Sequence, residues 1–171
     1  MNILSFSLLA ALLLTLNGCG EKASGNKTEA KTEAVAPAAL AKVSKPEEKF
    51  AKLRKDAEAG NADAQNNLGW IYSNGHGATQ DYQEAAKWFR LAAAQGNANA
   101  QLTLGKMYRS GQGVAQDYVR AQMWLTLAAA KGNSEAQQVL DIAAKHMTPA
   151  QIAEAKKMAQ DCESSNYNKC G

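Results

Sequence analysis

The sequence predicts an all-α protein, an α-solenoid of stacked antiparallel helix pairs, and three observations carry this prediction. The chain repeats itself every 36 residues, and 19 of the 36 aligned positions in 60–95 and 96–131 are identical. Within each copy, apolar residues recur at the three- and four-residue spacing of a helix. Glycine-rich turns and capping residues divide each copy into two helices. A period of this length indicates supersecondary units that stack on their neighbours.

The first half of each copy is predicted to be a helix that packs closely on a neighbour. Ala64, Leu68 and Tyr72 mark its apolar face. Gly69 lies in the middle of this helix, where glycine costs about 1 kcal/mol relative to alanine. Because the glycine recurs as Gly105, we expect a neighbouring helix to come too close for a side chain.

The second half of each copy is predicted to be a helix that begins at an aspartate. Asp81 is the expected N-cap, with Glu84 three residues later as in a capping box. Asp117 occupies the same position in the second copy, so capping explains both carboxylates without catalysis. Trp88 and Trp124 fall on the repeated apolar face and are predicted to be buried in the core.

The repeated residues resemble a known family. The pattern A-x-A-Q-x-x-L-G-x-x-Y-x-x-G-x-G, followed by D-Y, A, W and A-A-A-x-G-N, is similar to the Sel-one-like repeat, a relative of the tetratricopeptide repeat. Residues 60–131 match it twice, a partial third copy begins at Gly132, and residues 50–60 resemble the second helix of a preceding copy. The resemblance covers residues 50–160 and implies a solenoid that binds a protein or peptide.

Periodicity and capping signals together place seven helices, with consecutive helices packed antiparallel and no strand. Thr148 and Pro149 are suited to the start of the last helix. The predicted helices span 47–59, 62–74, 81–95, 98–110, 117–131, 134–146 and 149–160.

The N-terminus is predicted to be a lipoprotein signal peptide, residues 1–18. Residues 3–16 are mostly apolar and fall short of the about 20 residues that a membrane-spanning helix needs. The next residues, Leu16-Asn17-Gly18-Cys19, resemble a bacterial lipoprotein processing box, which implies acyl chains such as palmitate on Cys19. The implied location is the bacterial cell envelope, anchored to a membrane and facing the periplasm. The alternative is an ordinary secretory signal followed by an incidental cysteine.

The remaining domains follow from composition. Residues 19–45 lack apolar periodicity and are predicted to be a flexible tether, with a weak helix over 28–36 as the alternative. The solenoid occupies 46–160, and 161–171 form a C-terminal tail. Cys162 and Cys170 in this tail could close a disulfide in an oxidising compartment, worth roughly 2.5 kcal/mol by loop-closure entropy. Two free thiols and a metal site are the alternatives.

The sequence carries no recognisable signature of catalysis, of a metal site or of a cofactor site. No phosphate loop, dinucleotide fingerprint or zinc-protease motif occurs. His76 is expected in a solvated turn and His146 at a helix C-terminus. The net charge of +3 is small and mixed in sign, which does not favour a nucleic-acid partner.

The predicted partner-binding surface is the concave face, which the first helices line by resemblance to tetratricopeptide packing. The counterpart of Trp70 is Lys106, so the repeat architecture does not require an aromatic residue there. An exposed tryptophan beside polar and basic residues suits a binding hot spot. The alternative is that Trp70 packs against the upstream helix. The predicted contact residues are Asn66, Trp70, Leu102, Lys106 and Arg109.

Three functions fit this reading. The first is a lipid-anchored adaptor that binds another protein or peptide. The second is an envelope enzyme acting on peptidoglycan or β-lactams, by resemblance to relatives with paired cysteines in each repeat; residues 50–160 contain no cysteine, which counts against it. The third is an immunity or inhibitor protein that covers a partner's active site. The adaptor and the inhibitor use the same surface, so the sequence does not separate them.

The lipoprotein hypothesis predicts that Cys19→Ala leaves an unprocessed precursor or releases the protein from its lipid attachment. The physical reason is that the thiol of Cys19 is the acylation point. Incorporation of labelled fatty acid and membrane fractionation measure this. If the parent takes up no label at Cys19 and the variant fractionates like the parent, the hypothesis is wrong.

Overall fold

The fold is an all-α solenoid, as the repeat predicts. A computed structural model describes residues 45–170, which contain seven helices and no strand. The predicted signal peptide, Cys19 and nearly all of the tether lie outside these residues. The helices are α1 (Lys45–Glu58), α2 (Ala62–Asn74), α3 (Tyr82–Ala93), α4 (Ala98–Ser110), α5 (Tyr118–Ala130), α6 (Ser134–Ala144) and α7 (Pro149–Ser164).

The second helices begin at aspartate caps, as predicted. The carboxylate of Asp81 accepts hydrogen bonds from the backbone N–H groups of Gln83 and Glu84, each at 2.9 Å. The capping box is not completed, because the N–H of Asp81 donates to the carbonyl of Tyr72. Glu84 pairs instead with Lys87 at 2.7 Å. The cap therefore also ties the start of α3 to the end of α2.

The first helices begin at asparagine caps. Asn61, Asn97 and Asn133 each accept a hydrogen bond from the backbone N–H three residues later, at 2.9–3.0 Å. Their repetition 36 residues apart places α2, α4 and α6 at equivalent positions in successive repeats. The cap amide of Asn97 also donates to the carboxylate of Asp63 at 2.8 Å, which joins the two repeats.

The two helices of each repeat approach closely at a glycine. A Cβ atom on Gly105 would lie 2.7 Å from Cγ of Leu125, and one on Gly69 would lie 2.9 Å from the Phe89 ring. Distances below 3 Å are not compatible with a real side chain at these positions. The expectation of a closely packed neighbour at both glycines is confirmed.

Buried glutamines join each repeat to the preceding second helix. The side-chain amide of Gln65 donates to the carbonyl of Ala57 at 3.0 Å, and that of Gln101 donates to the carbonyl of Ala93 at 3.2 Å. Both side chains are almost fully buried. Each bond adds a second donor to a carbonyl near the C-terminus of the preceding helix, which also accepts from the N–H of Gly60 or Gly96. The repeated glutamine thus fixes how one repeat stacks on the next.

The two repeated tryptophans differ in burial, contrary to expectation. Trp124 is 2 % exposed and lies in the main core cluster with residues of α3 and α4. Trp88 is only partly buried and packs against the cluster of Ala57, Ala64 and Leu68. A complete repeat precedes Trp124, whereas within the described residues only α1 precedes the pair that contains Trp88. The prediction that both pack in the core is confirmed for Trp124, whereas Trp88 packs against a core cluster without being fully buried.

The last helix departs from the regular stack. We expected α7 to pack antiparallel on α6, but it packs chiefly on α5. It also extends to Ser164, past the predicted end at 160. Cys162 is fully buried in the main core cluster, and the structure joins it to Cys170 in a disulfide with a Cα–Cα distance of 4.7 Å.

The segment after α7 returns to the junction between the two full repeats. The ring of Tyr167 lies 3.1 Å from the position that a Cβ on Gly96 would occupy. The ammonium of Lys131 lies 5.2 Å from the centroid of the same ring, a distance at which a cation and an aromatic face attract. The C-terminal segment is therefore part of the packed domain and not a separate tail.

The difference in burial predicts that replacing each tryptophan with alanine lowers the free energy of unfolding by a different amount. Trp124→Ala should destabilise the fold by about 3–5 kcal/mol, because it removes a fully buried aromatic side chain. Trp88→Ala should cost about 1–2 kcal/mol, because part of its ring is already in water. Chemical denaturation of both variants measures this. Equal losses of unfolding free energy would contradict the assignment.

Candidate partner-binding face

The solvent side of α2, α4 and α6 forms one surface, which we call the first-helix face. It contains the outward positions of three helices that start at equivalent asparagine caps. Trp70, Lys106 and Ile142 occupy one equivalent position in these helices, 36 residues apart. Ser73 of α2, Arg109 of α4 and Lys145, the C-cap of α6, occupy another. We call each such set of equivalent positions a level of the face.

An open groove of about 470 Å³ runs between α2 and α4. Trp70 lines it from one side and is 55 % exposed, so the alternative that this ring packs against the upstream helix is wrong. Lys106 and Arg109 line it from the other side. Its other polar lining residues include Ser73, Asn74, Thr103, Ser110 and Gln112. The structure thus brings together three of the five residues predicted from the sequence.

Arg109 is the cation of this groove without a charged partner among residues 45–170. Its side chain is partly buried, and no carboxylate within the described part of the chain pairs with it. Its backbone is held in place, because the side-chain amide of Gln116 donates to its carbonyl at 2.8 Å. Gln80 makes the same bond to Ser73 in the first repeat. The guanidinium is thus presented from a fixed backbone and is available to a ligand.

Lys106 forms an ion pair with Glu135 of α6. Glu135 is exposed and, with Trp70 and Lys106, lines a second groove of about 460 Å³ that adjoins the first. Glu135 is not among the contact residues predicted from the sequence. A signal was present, because Glu135 occupies in α6 the position that Asn99 occupies in α4, 36 residues earlier, and Asn99 lines the same groove.

Asn66 lies at the edge of the second groove and is only partly exposed. Its side-chain Oδ1 is buried and has no hydrogen-bond partner within residues 45–170. A buried acceptor without a donor costs about 1–3 kcal/mol. Asn66 therefore contributes to the floor of the face more than to its accessible surface.

Leu102 lines the second groove but is almost fully buried, so it contributes to packing more than to the accessible surface. It is 6 % exposed and lies in a core cluster with Val139 and Leu140 of α6. The reason is that the partial third copy places an apolar helix beside α4. Burial of a leucine side chain stabilises by about 1.5–3 kcal/mol, so this position serves the packing of α6.

Charged and ring groups elsewhere have local roles. Hydrogen bonding to Glu84 raises the pKa of the Lys87 ammonium, and hydrogen bonding to Glu58 raises that of the Arg54 guanidinium. Both are exposed pairs on α3 and α1. His76 is exposed in its turn, as expected. His146 stacks on Tyr118 with ring centroids 5.2 Å apart.

Within residues 45–170, no group of three or more His, Cys, Asp or Glu side chains is arranged to hold a metal ion. None of the helices in this part of the chain combines the length and the apolar character that crossing a membrane demands.

Comparison with known proteins agrees with the geometry of the repeats. The family model described as the Sel1 repeat matches residues 62–97 and 98–133. The crystal structure of a Sel1 repeat protein from Oxalobacter formigenes is 41% identical over 54% of this chain and 69% of that chain, with a TM-score of 0.53. The chain belongs to the Sel1 repeat family. Sel1 repeats generally mediate protein–protein interaction, and proteins of this family are typically non-catalytic scaffolds.

A second Sel1-type structure extends the comparison. It is the crystal structure of c5321, a protective antigen present in uropathogenic Escherichia coli strains that displays an SLR fold. The identity is 34%, the TM-score is 0.66, and the alignment covers 72% of this chain. The present chain spans only 28% of that protein's length. No curated protein matches the sequence.

The placement of Leu102 and Trp70 predicts opposite effects on stability. Leu102→Ala should cost about 2–5 kcal/mol, because it opens a cavity between α4 and α6. Trp70→Ala should change the unfolding free energy by less than about 1 kcal/mol, because its ring is mostly in water. Urea denaturation of the two variants measures both. A Trp70→Ala loss as large as that of Leu102→Ala would mean that the ring is a packing residue.

Proposed function

We propose that this Sel1 repeat protein is a non-enzymatic adaptor that binds another protein through its first-helix face. The observation that carries the proposal is the exposed Trp70 across a groove from Arg109, a cation without a charged partner in the described residues. Tryptophan and arginine are the residue types most often found at the energetic centres of protein interfaces.

The variation between repeats supports the same surface. Many packing residues are identical in the two full copies, as at Gly69 and Gly105, although Leu125 replaces Phe89. The groove positions differ, as at Trp70 and Lys106. A scaffold must repeat its core in order to stack, whereas a recognition surface is free to vary. Among the described residues that line the groove, Tyr82 alone has an identical counterpart in the other copy.

The lining of this groove favours binding over catalysis. Among the described residues that line it there is no Asp, Glu, His or Cys side chain. General acid–base catalysis draws mainly on His, Asp and Glu, and a hydroxyl nucleophile needs an adjacent base to activate it. The groove offers instead aromatic rings, two cations and several amide and hydroxyl groups, which suit recognition of a polypeptide.

The proposal places the protein in the bacterial cell envelope, attached to a membrane and facing the periplasm. Its support is the sequence alone: an apolar segment at 3–16 followed directly by Leu16-Asn17-Gly18-Cys19. Acyl chains bind a bilayer with about 0.8 kcal/mol per buried methylene, and more than one chain is needed for a stable anchor. Acylation of Cys19 would leave the tether, residues 19–45, between the membrane and the solenoid.

Loss of partner binding in a double variant tests the function. The full chain is purified from solubilised membranes after cross-linking, and the co-purified protein is identified by mass spectrometry. Trp70→Ala with Arg109→Ala should weaken binding of that protein at least tenfold, since a single hot spot contributes about 2 kcal/mol or more. Binding of the purified pair is measured by calorimetry.

The matched control removes one cation and one exposed apolar side chain elsewhere. Arg54→Ala with Leu91→Ala changes exposed residues of α1 and α3 and should bind like the parent. Circular dichroism checks that both double variants stay folded. If the partner binds Trp70→Ala, Arg109→Ala with unaltered affinity, the first-helix face is not the interface.

A further inference from the structure

The first-helix face carries two exposed apolar side chains with a cation between them. Trp70, Lys106 and Ile142 occupy the same position in α2, α4 and α6. Trp70 is 55 % exposed and Ile142 is 45 % exposed, and both are among the large apolar side chains that the described residues leave in water. From α2 through α4 to α6, this level therefore carries an apolar, a basic and an apolar side chain.

The next level adds positive charge at the same place. Ser73, Arg109 and Lys145 occupy it in the three helices. Lys106 is already paired with Glu135, so the guanidinium of Arg109 is the charge left over at the centre of the face. No carboxylate of residues 45–170 pairs with Arg109, so the best complement to its guanidinium is a carboxylate on the ligand.

The spacing between the helices gives the length of a peptide that would match this pattern. Packed helices such as α4 and α6 lie about 8–10 Å apart, and α2 lies across an open groove from α4. Trp70 and Ile142 are therefore separated by at least roughly 20 Å, with the cations between them. A peptide extended in the polyproline II conformation rises about 3.1 Å per residue and brings every third side chain to the same face. Each step from one helix to the next therefore corresponds to about three residues of an extended peptide.

We propose that the ligand of the first-helix face is an extended peptide segment whose central acidic residue has an apolar residue about three positions away on each side. The apolar side chains cover Trp70 and Ile142, and the carboxylate pairs with Arg109. This inference rests on the proposed function and names the partner's chemistry. A continuous polyanion such as a nucleic acid fits less well, because Glu135 lies beside Lys106 and repels it.

Selection from a peptide library tests the pattern. Random dodecapeptides displayed on phage are selected against the purified full chain. Enriched sequences should share an Asp or Glu with apolar residues about three positions to either side. In a synthetic copy of an enriched peptide, Asp→Asn or Glu→Gln should weaken binding about three- to tenfold, and raised salt should reduce that difference because it screens charge.

Charge reversal gives a second readout. Selection against Arg109→Glu should replace the central acidic residue with Lys or Arg, while the flanking apolar residues stay. The matched control, Arg54→Glu, changes an exposed arginine of α1 outside the face and should select the parental pattern. Circular dichroism verifies that both variants are folded.

The outcomes separate this inference from the proposed function. The inference is overturned if the enriched peptides lack a central acidic residue. It is also overturned if selection against Arg109→Glu still enriches peptides with that acidic residue. The function then still stands if the same peptides lose affinity for Trp70→Ala with Arg109→Ala. If no peptide is enriched, the inference also fails, and the function is decided by the co-purified protein and the same double variant.

Discussion

The close approach of helices at Gly69 and Gly105 determines the geometry on which the rest of the molecule depends. With no side chain at these positions, Phe89 and Leu125 lie directly against the backbone of the first helix. The second helix of each repeat therefore covers one side of the first helix. The opposite side is left to solvent, and in successive repeats these open sides form the first-helix face.

Hydrogen bonds between the repeats fix how one repeat is aligned with the next along that face. The buried amide of Gln101 reaches the carbonyl of Ala93, and the cap amide of Asn97 reaches Asp63. Hydrogen bonds require short distances and near-linear angles, so they restrict rotation of one repeat against the next. Apolar packing alone is less directional. The alignment of Trp70 with Lys106 is therefore a product of the scaffold's polar contacts.

The sequence predicts what each repeat determines by itself. Helix positions followed from apolar spacing, glycine turns and the caps at Asp81 and Asp117, and the close packing at Gly105 followed from a glycine that helix propensity disfavours. These features depend on residues near each other in the chain or on exact repetition. The exposure of Trp70 was left open because it depended on whether the upstream helix would reach it.

The errors share a cause, because each involves a partner outside the two full copies. Leu102 is buried by α6, which belongs to an incomplete third copy. Trp88 is partly open because within the described residues only α1 precedes its pair. The contact of α7 with α5 has no counterpart in the repeat pattern. The repeat pattern predicts the packing that the two copies share. It carries no information about contacts with helices outside them, such as α1, α6 and α7.

The return of the C-terminal segment to Gly96 alters how the stack can come apart. In an array whose units contact only their neighbours, an end unit can open while the others stay folded. Here Tyr167 packs on the junction between the two full repeats, and the disulfide ties the segment that carries it to α7. Opening of the last helix would therefore remove the contact of Tyr167 with the middle of the array. The solenoid should consequently lose its structure as one cooperative unit and not by fraying from its C-terminal end.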